Sequence, residues 1–219
     1  MSPEEGAADA KKSVAPRPAP IALESLTAEQ RGAALAAVEA KKSVFISGAA
    51  GTGKSHASKY IVQRLRARCA PTAPTGVAAL NIGGSTLHSF FGLGIGTGNG
   101  PQHMIRKARK NKAAMKRINE TEVLLIDEVS MMSSDLLEAI DAVAKDVRRD
   151  DRPMGGMQVV AVGDFFQLPP IINKEAMEWG RDVDEQRPFC FDSPVWSELE
   201  LGEVVAAAAC RDCVCFSPQ

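Results

Sequence analysis

Gly48-Ala49-Ala50-Gly51-Thr52-Gly53-Lys54-Ser55 is the stretch on which the fold turns. It fits the phosphate-loop (P-loop) pattern G-x-x-x-x-G-K-[ST], and each part has a physical reason. Glycines let backbone N–H groups curl around phosphate oxygens, the Lys54 ammonium reaches the β- and γ-phosphates, and the Ser55 hydroxyl is a ligand for Mg²⁺. A helix that opens at the end of the loop adds its positive dipole end. The flanks agree: Ser43-Val44-Phe45-Ile46-Ser47 reads as a short apolar strand and His56 to Arg68 as an amphipathic helix. Gly48, Gly51, Thr52, Gly53, Lys54 and Ser55 are therefore candidate nucleotide-binding residues, with ATP and Mg²⁺ as the expected ligands.

Outward from this loop the alternation continues. Upstream, Leu26 to Ala40 is Ala-rich and helical in composition, with Thr27 as its N-cap and Gln30 as the capping-box partner. Downstream come a weak strand at Cys69 to Ala73, a core strand at Val123 to Ile126 and another at Gln158 to Val162. Between the last two, Ser134 is read as the cap of a helix whose Leu137, Ile140, Ala144 and Val147 share one face. Pro188 to Phe191 reads as a further short strand and Asp192-Ser193-Pro194 as a helix start. Strands alternating with helices need crossover connections, which implies an α/β fold with a mostly parallel sheet and helices on both faces. Two stretches break the pattern and read as surface insertions: the Gly-rich Gly92 to Gly100, and Arg106 to Arg117 with seven Lys or Arg.

Composition bounds the rest. A chain of 219 residues, 45% hydrophobic and 24% charged, has room for one sizeable domain plus tails and can bury a core without staples. The formal net charge of −1 provides no global field toward nucleic acid, which leaves such contacts to local patches. No apolar run reaches the ~18 residues of a membrane span, and the five cysteines form no even framework, so an intracellular, reducing location is expected. Cys210, Cys213 and Cys215 lack a fourth ligand and are not assigned a metal. Residues 1–22 carry no periodicity and read as a disordered lead-in.

Two further strand ends carry chemistry. Val123-Leu124-Leu125-Ile126-Asp127-Glu128 is an apolar strand that ends in two carboxylates; Asp127 is placed to hold Mg²⁺ and Glu128 to polarise the attacking water as general base. Gly163-Asp164-Phe165-Phe166-Gln167-Leu168-Pro169-Pro170 follows the apolar Val159 to Val162, and Gln167 is a candidate to sense the γ-phosphate or orient water.

These blocks, together with Leu26-Thr27-Ala28-Glu29-Gln30, Ala73-Pro74-Thr75-Gly76-Val77-Ala78-Ala79 and Gly84-Ser85-Thr86-Leu87-His88-Ser89-Phe90, occur in the order seen in Pif/RecD-like DNA helicases of superfamily one. The chain resembles that family over about residues 24 to 203, and Phe189 to Trp196 looks like the family's segment after the glutamine block. The resemblance implies a RecA-like ATPase domain over residues 23–203, part of an ATP-dependent 5′-to-3′ DNA helicase. Its partner would be single-stranded DNA or a forked duplex, its setting repair, recombination and telomere maintenance, and its location the nucleus of a eukaryote, with the mitochondrion as the alternative. It also implies that Gln30 reads the adenine edge and that Thr75, Gly76, Thr86 and His88 lie along the single-stranded DNA path.

Each of those residues has a plainer reading. Gln30 is also explained as the capping-box partner alone, His88 as a packed core histidine, and Phe90 with Phe91 as core rather than as base-stacking aromatics. The basic segment fits phosphate-backbone binding, a nuclear localisation signal or a solvated helix face. In the family a second RecA-like domain follows and supplies an arginine to the γ-phosphate. After Glu203 this chain departs from the pattern, and residues 204–219 are expected to be an atypical tail without that second domain. Such a chain would bind ATP and Mg²⁺, hydrolyse weakly and not unwind duplexes alone, since translocation takes two bodies in relative motion. A nucleotide-gated DNA-binding module without motor activity is the alternative.

Overall fold

The computed structural model describes residues 19–94, 100–170 and 189–205. Six strands form one sheet: β1 Val44–Ser47, β2 Cys69–Ala73, β3 Ser85–Thr86, β4 Val123–Ile126, β5 Gln158–Gly163 and β6 Gly202–Val205. Their spatial order is β3-β2-β4-β5-β1-β6 and every pairing is parallel. α1 Ala28–Val38 precedes β1, and the crossovers are made by α2 Lys54–Leu65, α3 Gly76–Asn81, α4 Leu87–Phe91, α5 Gly100–Lys110, α6 Lys112–Glu120, α7 Ser134–Arg148 and α8 Pro194–Glu198.

The uniform apolarity of the central strands follows from burial on both faces. Successive side chains alternate across the sheet, and the core divides accordingly. Val44, Ile46, Val123, Leu125, Val160 and Val162 pack under α1 and α2. Phe45, Leu124, Ile126, Val159 and Ala161 pack against the side that carries α4 to α8. The expected α/β sheet with helices on both faces is present, and it is parallel throughout.

Thr27 caps α1 as expected: Gln30 N donates to Thr27 Oγ1 and Thr27 N donates to Gln30 Oε1, which closes the capping box. Four details differ from the sequence reading. Ser133, not Ser134, caps α7; its Oγ accepts from Leu136 N at 3.3 Å, while Ser134 is the first helical residue and is buried. Adjacent serines are equally good caps, and only the first has the extended backbone the position demands. Around Phe189 to Phe191 the chain forms a 3₁₀ turn over Cys190–Asp192 rather than a strand, while Pro188 lies outside the described residues. Ser193 then caps α8 with Pro194 in its first turn, as the residues predict.

The third and fourth differences concern the two stretches read as insertions. Leu93 in the Gly-rich segment is buried in the core, and residues 95–99 lie outside the described ones. The basic segment folds into α5 and α6, whose Met104, Ala108, Ala114 and Ile118 are buried, α5 packing on α7 and α6 on α4 and α7. Two of its cations are structural. Arg109 forms a bidentate pair with Asp146 of α7, and Arg117 donates to the carbonyls of Phe90 at 2.6 Å and of Ser89, ending α4. Phe90 and Phe91 are themselves core residues, edge-to-face at 5.0 Å, so neither has a face free to stack on a base.

The short β3 sits beside β2 because Gly84 has no side chain: a Cβ there would lie 2.1 Å from the Pro71 carbonyl oxygen. Gly84→Ala is therefore expected to destabilise the fold by roughly 1 to 3 kcal/mol. An unchanged denaturation midpoint would show that this edge yields freely.

Candidate nucleotide site

Because every strand runs the same way, every strand's C-terminal end opens on one edge of the sheet, the edge where ligands bind in open α/β folds. The P-loop leaves β1, Asp127 and Glu128 leave β4, and Asp164 and Gln167 leave β5, which lies between those two strands. Register aligns Ser47 with Gly163 and Ile126 with Ala161, so the three groups emerge at nearly the same level.

The loop geometry is set by its glycines. Gly51 and Gly53 both have φ of +79°, and Gly53 serves as N-cap of α2 without a side-chain bond to the helix amides. The first amides of this long helix are thus left for a ligand. Lys54 Nζ donates to the carbonyls of Gly48 at 2.5 Å and Ala49 at 3.0 Å, which folds the ammonium across the loop. Thr52 points inward, and its hydroxyl donates to Ala49 O at 2.9 Å.

Gln30 reaches this loop from α1. It is buried, and its Nε2 donates to the carbonyl of Thr52 at 2.7 Å while Oε1 accepts from Thr27 N. A Cβ on Gly53 would stand 2.5 Å from that Nε2, so the capping box and the phosphate loop are packed as one unit. The capping role is realised, and one side chain also braces the loop.

Across the edge, Asp127 is buried, its N donating to Thr72 O at 2.8 Å. Burial and the adjacent Glu128 carboxylate push its pKa up to about 6, against the opposing pull of the Glu128 amide, Lys54 and Lys59. A carboxylate so placed is one that a cation would stabilise. Glu128 is half-buried and left-handed, with φ 53° and ψ 43°, which costs a non-glycine residue about 1 kcal/mol or more. This left-handed residue turns the chain out of β4 into the 3₁₀ turn Val129–Met131.

After β5, Asp164 Oδ2 accepts from Gln167 Nε2 at 2.7 Å and Oδ1 from Phe166 N at 3.0 Å. The donating Gln167 amide is the largest influence holding the Asp164 pKa below the ordinary carboxylate range, and Lys54 contributes in the same direction. Phe165 anchors the turn from below, within a ring cluster that includes Phe45, Phe191 and Trp196.

A family model for PIF1-like helicases matches residues 25–201. The chain belongs to the PIF1-like helicase family. It is 47% identical over 161 residues to the ATP-dependent DNA helicase PIF1 of Candida albicans, an alignment covering 71% of this chain and 18% of the relative. With the ATP-dependent DNA helicase RRM3 of Saccharomyces cerevisiae it shares 40% over 176 residues, 78% of this chain and 23% of that one. The crystal structure of the Candida albicans Pif1 helicase superposes with a TM-score of 0.73 at 42% identity, over 83% of this chain and 39% of that one. A Bacteroides Pif1 in complex with ADP-AlF3 and single-stranded DNA superposes at 0.70 and 34% identity, over 83% of this chain and 42% of that one. The chain thus spans about a fifth of the length of the two curated relatives, and its sheet is the RecA-like P-loop fold of Pif1 helicases.

Within that PIF1-like frame the residues expected along DNA occupy the neighbouring strand ends. Thr75 caps α3 and Thr86 caps α4, each hydroxyl accepting a backbone amide, and β2 and β3 pair Ala73 with Thr86. Gly76 is exposed; His88, in the first turn of α4, is half-buried, and burial lowers its pKa. Sequence reasoning did not assign Asp164, although its spacing of three from Gln167 is the signal of a turn in which the two side chains meet. Cys69 and Cys190 are buried thiols with pKa values near 12, and the terminal cysteines lie outside the described residues. Among the described residues no helix is long and apolar enough to cross a membrane, and no cluster of three or more His, Cys, Asp or Glu is placed to hold a metal.

Proposed function

We propose that this chain is the ATP-binding and ATP-hydrolysing domain of an ATP-dependent DNA helicase, carried over about residues 23–203. The observation that supports this best is the convergence of Lys54, Asp127, Glu128 and Gln167 on one edge of three neighbouring strands. In this reading the P-loop amides and Lys54 bind the β- and γ-phosphates, Lys54 exchanging its bonds to Gly48 and Ala49 for phosphate oxygens. Ser55 and Asp127 would hold Mg²⁺, a role that fits an exposed hydroxyl and a buried carboxylate short of positive charge. Bound there, the ion would neutralise charge that develops on the phosphates.

Glu128 accepts a proton from water as the water oxygen bonds to the γ-phosphorus and the bridging oxygen leaves with ADP. Gln167 orients that water. Gln30, one amide hydrogen of which is engaged by Thr52, contacts the adenine edge. Thr75, Gly76, Thr86 and His88 line the path of single-stranded DNA or the single strand of a fork. A 5′-to-3′ polarity, roles in repair, recombination and telomere maintenance, and a nuclear or mitochondrial location extend the same family reading.

The test is fluorescent-nucleotide binding and ATP turnover by the purified chain, with and without single-stranded DNA. Mg²⁺-dependent ATP binding and DNA-stimulated turnover are expected from the parent, and Lys54→Ala should lose turnover by on the order of 10²-fold or more. Equal binding and turnover in the parent and Lys54→Ala would sink the proposal.

A further inference from the structure

The Asp164 carboxylate does more than end β5. We propose that Asp164 is a positioning residue for ATP hydrolysis, fixing which end of the Gln167 amide is free to meet the attacking water. The inference rests on the hydrolytic reading above. A carboxylate has only acceptor oxygens. The Gln167 atom 2.7 Å from Asp164 Oδ2 must therefore be the NH₂ nitrogen, and the chemistry settles an amide orientation that geometry alone leaves ambiguous. Among the described residues Oε1 is left open, as an acceptor for a water O–H. A glutamine free to flip would spend part of its time presenting NH₂ instead, aligning water with the wrong polarity.

The surroundings hold Asp164 in that role. It is buried, and both of its carboxylate oxygens are engaged, one by Gln167 and one by the Phe166 amide. Its backbone carbonyl accepts from Gln167 N at 3.0 Å, which closes the turn. Immediately before it, Gly163 abuts the turn that follows Glu128: a Cβ there would meet Val129 Cγ1 at 2.9 Å and the Val129 and Ser130 amides at 3.1 and 3.2 Å. The strand end that carries Asp164 is thereby seated against the segment that carries the general base, and the Gln167 amide is referenced to Glu128 through backbone contacts.

Asparagine at 164 keeps one oxygen and puts an NH₂ donor in place of the other, so one of the two sites that now accept from Phe166 N and from Gln167 Nε2 would face a donor instead. Single-turnover ATP hydrolysis and nucleotide affinity are to be compared in the parent chain, D164N, Q167A and the double variant. D164N is expected to slow hydrolysis about tenfold or more, with nucleotide affinity within about twofold, and to cause no further loss in the Q167A background. A D164N rate equal to the parent's, or the same fractional loss with and without Gln167, overturns the proposal, because Asp164 would then act independently. The parent also gives a direct readout if D164N folds poorly. The Gln167 side-chain amide protons, assigned by their loss in Q167A, should exchange more slowly than those of a free glutamine; exchange at the free rate overturns the fixed orientation. Slow exchange in a chain without ATP hydrolysis supports the orientation and sinks the hydrolytic reading.

Discussion

Glu128→Gln is expected to lower single-turnover ATP hydrolysis by on the order of 10² to 10⁴-fold while leaving Mg²⁺-dependent nucleotide affinity within a few-fold of the parent. That range is what general base catalysis contributes. Glutamine is close in volume to glutamate and removes the negative charge and with it the ability to take a proton. Binding should survive because, in the proposed reading, the phosphates are held from β1, by the loop amides and Lys54, and the metal-side carboxylate is Asp127. A second consequence follows from the coupling of the two acids. Glu128 is one of the two causes that raise the Asp127 pKa, so its replacement should move the titration of Asp127 down from about 6, toward the ordinary carboxylate range. The pH below which Mg²⁺-nucleotide binding fades should fall with it. Turnover in Glu128→Gln within tenfold of the parent would remove Glu128 from the role of base.

The parts of this site that were legible in the sequence share a physical cause. β1, β4 and β5 are buried on both faces, so each reads as an unbroken apolar run, and a polar or glycine-rich stretch directly after such a run falls on the ligand-binding edge of the sheet. Lys54, Asp127, Glu128 and Gln167 all fall in such stretches. α3, β3 and α4 were not read as elements, because at six, two and five residues they are too short for periodicity to show. β6 was invisible for another reason: Gly202–Val205 is defined by pairing with β1 from the far end of the chain, and nothing local marks it.

The basic segment misled by composition. Seven cations hid the buried Met104, Ala108, Ala114 and Ile118, and the long stems of Arg109 and Arg117 place their charges on Asp146 and on helix-end carbonyls. Asp164 carries no mark of its own in the sequence, because its role shows only in the hydrogen bond it accepts from Gln167 three residues on.

Asp127→Asn should give a chain more stable than the parent and unable to bind Mg²⁺-nucleotide normally. The folded chain raises this carboxyl from 3.8 to about 6, so ionising it costs more folded than unfolded. Below pH 3.8 the group is protonated in both states and carries no penalty. As pH rises the unfolded chain ionises first, and the penalty grows until it is complete above about 6. At pH 7.5 the cost is roughly 2 to 3 kcal/mol, and asparagine removes most of it. A rise in melting temperature of roughly 4 to 8 °C is expected for a domain of this size. The gain should shrink as pH falls through 6 and vanish near 4. Added Mg²⁺ and ATP should reverse the order at neutral pH, because a ligand that binds only the parent raises its stability by mass action. A stabilised variant whose advantage ignores both pH and Mg²⁺-nucleotide would mean that Asp127 is a packing residue. Ranks that cross on adding the ligand would identify a carboxylate held at a cost to the fold for the charge it presents to the metal.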